Sequence, residues 1–322
     1  MQARTTLQAA FLIAILTLVG CQGGGGIAPD RPVHDPASLS VLCWNIRYGT
    51  ADDGPNSWHL RAQRAADVVI GPGGTPDDPA WELVGLQEAL RFQIDQFLTA
   101  APAYAYVGAG RDDGQDAGEH CGVLYRPDRL QLAESGEFWL SDTPDEPGSK
   151  TWGNEITRMC AWARFVPIGS RDGRGFYVFN THWDHRSEAS RREAAELIAF
   201  KIGNRAHPDE PVIFMGDFNA APESPERLYL TGQASDANGD GVAPPIALTD
   251  ALLDTGYSIR RLGTFNGWRA GIDHGPSIDT IFVSDGLRIV DSGIEIGLGV
   301  SGDNRPPSDH HPISAELKIE SP

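Results

Sequence analysis

The sequence is short of cysteine, of long apolar runs and of clustered positive charge, and each shortage removes a class of protein. It has 4 cysteines in 322 residues. No CxxC pair and no Cys/His zinc spacing occurs among them, so neither a disulfide scaffold nor a structural zinc module fits. The one marked apolar stretch, residues 9–20, is too short to cross a bilayer as a permanent helix. Lys and Arg form no run, and 44 acidic against 26 basic residues give a formal charge of -18. A surface of that sign repels duplex nucleic acid and anionic membranes at long range, but it leaves room for a small anion held by local cations. No internal repeat of short period is visible. What is present is a hydrophobic content of 40%, enough for one large core or two small ones.

The front end reads as an export signal. Residues 9–20 have the length of a signal-peptide core, and Leu18-Val19-Gly20-Cys21 resembles a bacterial lipobox, in which the signal is cut before a cysteine that receives lipid. The expected organisation is a signal peptide over 1–20, a lipid-anchored Gly- and Pro-rich tether over 21–37 and a domain over 38–320. Gln22 stands where inner-membrane retention would call for Asp, which favours the outer membrane of a bacterial envelope. Cys43, Cys121 and Cys160 each fall in an apolar, strand-like run; at most one pair of them could bond, spacing does not choose which, and buried free thiols are the favoured reading.

Along the rest of the chain, short apolar runs bounded by turn residues alternate with helical patterns. Strands are expected over 39–46, 81–87, 121–127, 130–140, 158–165, 176–180, 211–214, 277–283 and 313–319. Helices are expected over 57–70, with Ser57 as N-cap, and over 91–100 and 188–202. Several strands are linked as hairpins, so a pair of mixed sheets fits better than one parallel sheet. Asp236-Ala237-Asn238-Gly239-Asp240-Gly241 matches the first half of a calcium loop. Its twelfth position is Ala247 rather than a bidentate Glu, so the Asp236–Asp240 segment is read as a polar insertion rather than a Ca²⁺ site.

The strands share a feature that packing alone does not require: they end in polar side chains. These ends are Asn45, Glu88, His182, Asp217, Asn219, Asp279, Asp309 and His310. Asp217 and Asn219 follow the apolar run at 211–214, and Gly216 is expected to give a tight turn there. Alone, each is a turn-former or a satisfied structural residue. Together they form an oxygen-rich ligand set suited to Mg²⁺ or Mn²⁺, with two histidines and Arg158 as donors to phosphate oxygens.

The motifs are Trp44-Asn45, Gln87-Glu88, Asn180 to His185, Gly216 to Asn219, Ile278 to Val283 and Ser308 to Pro312. In this order they resemble the endonuclease/exonuclease/phosphatase superfamily from about residue 38 to 320. The resemblance implies a four-layer α/β sandwich: two packed mixed β-sheets flanked by helices, with the site at their shared edge. It implies a divalent-metal-dependent hydrolase of phosphodiesters or phosphomonoesters. Glu88 would be the main metal ligand, helped by Asn45 and Asp309. Asp217 would activate water, Asn219 and His182 would hold phosphoryl oxygens, and Asp279 would orient His310 on the phosphate. Glu119 would pair with His182, and Arg158 would face phosphate. Asp184 and His185 belong to a subgroup pattern with no role attached.

Nucleases of the superfamily that act on duplex DNA use basic loops, and its membrane-active phospholipases use an apolar hairpin; neither is apparent here. The expected partners are a phosphorylated small molecule, a lipid head group or a short or single-stranded nucleic acid. Membrane contact would be through the lipid anchor only, and the chain is expected to be a monomer. A different class of function, a surface lipoprotein that binds a ligand on this fold without catalysis, would be signalled by loss of Glu88 or Asp217, and both are present.

Overall fold

The computed structural model describes residues 35–170, 172–256, 263–269, 275–300, 302 and 304–320. The expected signal peptide, Cys21 and most of the expected tether lie outside the described residues. The first sheet contains β1 (Ser38–Asn45), β2 (Leu83–Gln87), β3 (Ala105–Val107), β4 (Val123–Tyr125), β11 (Leu287–Ile294) and β12 (Ile313–Ile319). The second contains β5 (Leu130–Trp139), β6 (Met159–Pro167), β7 (Phe176–His182), β8 (Val212–Asp217), β9 (Thr249–Asp250) and β10 (Asp279–Val283). The strand orders are β11-β12-β1-β2-β4-β3 and β5-β6-β7-β8-β10-β9. Each sheet is mixed, because β1 and β2 run parallel in one, β7 and β8 run parallel in the other, and the remaining pairs are antiparallel.

The apolar runs are continuous because the central strands are covered on both faces. Leu39, Val41 and Cys43 of β1 meet Val178 of β7 and Ile213 and Met215 of β8 in the core between the sheets. The alternate residues Leu42 and Trp44 pack outward against helices α1 (Trp58–Ile70) and α2 (Arg91–Ala100). On the other side Tyr177, Phe179, Val212 and Phe214 pack against α3 (Glu188–Gly203) and α4 (Pro225–Leu230). The period of two therefore sorts each strand between two cores, giving the layers helix, sheet, sheet, helix. Each such buried aliphatic or aromatic side chain contributes roughly 1.5–3 kcal/mol. Cys43, Cys121 and Cys160 are buried free thiols.

Three local expectations change. Gly216 makes no turn: it lies inside β8, and a Cβ there would sit 2.2 Å from the Thr181 carbonyl oxygen of the neighbouring strand, so its role is close approach of β7 and β8. Ser57 precedes α1 without capping it through its side chain; its hydroxyl donates to the Gly54 carbonyl instead. The strand β11 was not expected, since its glycine and its register shift between Ile289 and Asp291 break the apolar alternation.

Toward one edge the inter-sheet core turns polar. Asn180 of β7 accepts from the Gln87 amide at 2.6 Å and donates to the Leu86 and Gly122 carbonyls at 3.0 and 2.9 Å, all buried and all across the sheet interface. Gly85 makes room, for a Cβ there would lie 2.6 Å from the end of Met215 and 3.3 Å from the Asn180 side chain. Removing the Asn180 amide takes one partner from each of these groups, although the Gly122 carbonyl still accepts from the Leu86 N–H, and each buried group left unsatisfied costs about 1–3 kcal/mol. Asn180→Leu is expected to lower unfolding stability by roughly 2–4 kcal/mol in urea denaturation. A loss below about 0.5 kcal/mol would show that the tether is dispensable.

Candidate active site

The alternation that sorts the core also fixes the site. Followed to the strand ends, the positions facing the other sheet are Asn45, Gln87, His182, Asp217 and Asp279. Asn45 aligns with Gln87, and His182 and Asp279 each align with Asp217. The parallel pairs bring these ends to one edge, where Asn45 Nδ2 donates to Asp217 Oδ2 at 2.9 Å and joins the two sheets. The loop before β12 closes over them: Ser308 Oγ donates to the Asn45 carbonyl at 2.7 Å, and Trp44 Nε1 to the His310 carbonyl at 3.0 Å. Arg61 of α1 fastens the same junction, donating to the carbonyls of Ile46, Arg47, Asn56 and Pro307. The result is a cleft of about 560 Å³ lined by Glu88, Glu119, Arg158, His182, Asp217, Asn219, Asp309 and His310, among others.

At its base, His310 Nδ1 lies 2.9 and 3.1 Å from the two Asp279 oxygens, and its Nε2 is 3.8 Å from Asp217 Oδ2. Burial opposes a charged His310, but Asp279 and Asp217 outweigh it and hold the imidazole well above the ordinary histidine range, so it is a cation. Burial, and then the Asp279 charge, push the Asp217 carboxyl up to about 7. His182 is the opposite case. Burial, then Arg158 and Arg111, hold it well below its ordinary range, so it is neutral, with Nε2 3.5 Å from Asp217 Oδ2. Glu119 stands 4.0 Å from His182 Nδ1, too far for a direct hydrogen bond, and both its oxygens take the Arg111 guanidinium at 2.7 and 2.8 Å.

Asn219 does not continue the extended backbone of β8, which ends at Asp217. It has φ 48°, its N–H donates to Asp217 Oδ1 at 3.0 Å, and its amide donates to the Trp183 carbonyl. Arg47 and Glu88 have φ 58° as well, so three non-glycine residues at strand ends hold left-handed backbone beside one cleft. Each costs about 1–3 kcal/mol, and such positions gather at functional sites. Arg158 is buried in the cleft wall. Its Nη2 is 3.1 Å from His185 Nδ1, its Nε is 3.5 Å from Asp184, and Nε and Nη1 have no hydrogen-bond partner.

The donor set suits a hard cation. Glu88 and Asp309 line the same cleft, and burial, reinforced by the Glu88 charge, raises the Asp309 carboxyl. The Arg47 guanidinium is 4.0 Å from both and commits its best donors to Asp53. Asn45 donates through Nδ2 to Glu88 at 3.0 Å while its Oδ1 accepts from the Arg47 N–H, so the carboxylates of Glu88 and Asp309 are what offer oxygen ligands of the kind Mg²⁺ and Mn²⁺ take. Asp217, Asp279 and His310 also offer ligand atoms within 4.8 Å of one another, but there His310 already supplies the cation. The calcium-like segment contains Asx turns, Asp236 with the Gly239 N–H and Asp240 with the Val242 N–H. Among the described residues it contributes no metal-type cluster.

A profile of the Endonuclease/Exonuclease/phosphatase family matches residues 42–310. The chain belongs to that family. Endonuclease/exonuclease/phosphatase proteins are mostly phosphoesterases or nucleases and generally depend on a divalent metal. Among solved structures, a family protein from Bacteroides thetaiotaomicron is 30% identical with a TM-score of 0.72, covering 89% of this chain and 100% of that one. A mannosyl-6-phosphatase from the same organism is 30% identical with a TM-score of 0.71, covering 87% and 100%. The human nocturnin catalytic domain, at 18% identity and a TM-score of 0.65, covers 88% and 95% and shares the fold. No curated protein sequence matches.

Arg47, Arg61 and Arg111 were not singled out by the sequence, because an arginine in a helix or turn carries no local sign of a partner elsewhere in the chain. His311 is a further case: it is buried beside His310, and burial pushes it down to about 4. Its folded value lies below its unfolded value of about 6.5, so the unfolded chain takes the proton first and stability is lost as pH falls through that window. The stability advantage of the native protein over His311→Asn is expected to shrink by roughly 2 kcal/mol between pH 7 and pH 5. Denaturant titrations at both pH values check this, and an unchanged difference would contradict it.

Proposed function

We propose that the chain is a divalent-metal-dependent hydrolase of phosphoester bonds, acting on small phosphorylated molecules with hydroxylated leaving groups such as hexose phosphates. One observation carries the hydrolytic reading: the buried Asp217 carboxylate shares a cleft with a cationic His310 that Asp279 holds from behind. A carboxyl raised to about 7 is basic enough to take a proton from water near neutrality and to orient that water toward phosphorus. His310 donates to the charge that builds on the phosphoryl oxygens, and neutral His182 and the Asn219 amide add donors. Glu88, Asn45 and Asp309 would hold the Mg²⁺ or Mn²⁺, whose Lewis acidity polarises the phosphate when bound. The likeness to a mannosyl-6-phosphatase supports a sugar phosphate, and the charge of -18 speaks against duplex DNA.

Groups that act more strongly in the transition state affect kcat rather than KM. Asp217→Asn and His310→Ala are each expected to lower kcat by about a hundredfold or more, with folding intact. Asp279→Asn should add little to His310→Ala, because it acts through that residue. Near-normal turnover by folded His310→Ala would end the catalytic role. Glu88→Gln is expected to raise the Mg²⁺ concentration needed for half-maximal activity, and an unshifted midpoint would remove Glu88 from the ligand shell. A panel of hexose phosphates, phosphodiesters, phospholipid head groups and short single strands assigns the substrate. If none turns over while phosphate still binds, the non-catalytic reading is favoured.

We further propose that the protein is exported and lipidated at Cys21, anchoring the domain to the bacterial envelope. Mass spectrometry of the mature N-terminus is expected to show a diacylglycerol-modified cysteine. An unmodified N-terminus at another residue would exclude the anchor.

A further inference from the structure

His185 lines the same cleft as Asp217 and His310, yet the hydrolytic steps make no use of it. Unlike those residues it is exposed, which places it at the cleft's rim. Its backbone is nonetheless fixed on every side. Trp183, two residues earlier, is fully buried and meets Phe218 edge-on at 4.8 Å, and its carbonyl accepts from the Asn219 amide. Asp184 accepts from the Arg186 and Ser187 N–H groups at 2.9 and 2.7 Å, and its carbonyl accepts from Arg191 at 3.0 Å. The segment from β7 into α3 is thereby held as a rigid turn.

The side chain is fixed as well, and so is its proton. Arg158 Nη2 is 3.1 Å from His185 Nδ1. A guanidinium only donates, so Nδ1 must be the acceptor and the ring proton of the neutral imidazole resides on Nε2. Burial and the Arg158 charge favour that neutral form. Nε2 has no protein partner among the described residues. An exposed histidine whose backbone, ring and tautomer are all set in advance presents one defined N–H donor at the mouth of the cleft.

We propose that His185 reads the leaving group: its Nε2–H donates to a hydroxyl oxygen of a polyhydroxylated phosphate ester, with Arg158 fixing the tautomer. This rests on the reading of the cleft as a phosphoesterase site, and it assigns selectivity rather than chemistry to His185. A lone solvent-edge hydrogen bond of this kind is worth about fivefold to tenfold.

The test exploits the two ring nitrogens. Asn places an amide near the position of Nδ1, whereas Gln reaches that of Nε2. In His185→Asn and His185→Ala, kcat/KM for a hexose 6-phosphate should fall about fivefold to tenfold while that for 4-nitrophenyl phosphate stays within about twofold. His185→Gln should retain most of the preference. Calorimetric binding in the presence of Mg²⁺ provides a second arm that needs no turnover: the hexose 6-phosphate should bind more weakly to His185→Asn, and inorganic phosphate equally well. If His185→Asn keeps the preference and His185→Gln loses it, His185 only positions Arg158 and the proposal fails. If both esters, or both ligands, weaken together, it fails too. Absence of turnover by the native protein would count against the hydrolase reading alone, since the binding arm still decides the role of His185.

Discussion

The arrangement depends on a buried hydrogen bond between two strand ends, the Asn45 amide of one sheet on the Asp217 carboxylate of the other. Two packed sheets bury their facing side chains well in the middle, where Cys43, Val178 and Met215 meet. At an edge the apolar supply runs out, and polar groups placed there must satisfy one another at low dielectric or bear the full desolvation cost. Asn180 and Gln87 do this one layer inside the edge, and Asn45, Asp217, Asp279 and His310 do it at the edge itself. Holding the sheets together and shifting the Asp217 and His310 protons are therefore consequences of the same burial.

That coupling separates residues which look alike in sequence. Two histidines reach the Asp217 carboxylate within 4 Å, one cationic and one neutral. The difference lies in what stands behind each: the Asp279 carboxylate behind His310, and the guanidinium charges of Arg158 and Arg111 near His182. One cationic and one neutral histidine thus flank a single carboxyl whose proton affinity is raised.

Much of this was legible in the chain. The strands carrying Asn45, His182, Asp217 and Asp279 are short apolar runs between turn residues, and their polar ends occur in a family order, so both the layers and the cluster could be anticipated. The period of two even predicts which face those ends take. What could not be read is set by contacts distant in sequence. Arg61 is a helix residue until four carbonyls from separate segments are seen around it. Glu119 was expected to serve His182, but Arg111, in an unremarkable turn, takes both its oxygens. Gly216 looked like a turn because glycine usually marks one, whereas here the missing Cβ lets two strands close. The proposed sugar-phosphate preference, likewise, would rest on a rim residue, His185, whose proposed role follows from which nitrogen Arg158 occupies.

The central claim is that water, steered by Asp217, attacks phosphorus in this cleft. It is tested most directly by hydrolysing a hexose 6-phosphate in oxygen-18-labelled water with Mg²⁺ and locating the label in the products. One solvent oxygen in each released phosphate and none in the sugar is the expected result, with release abolished by chelation of the metal. Label in the sugar hydroxyl, or no metal-dependent phosphate release from any ester, would contradict it.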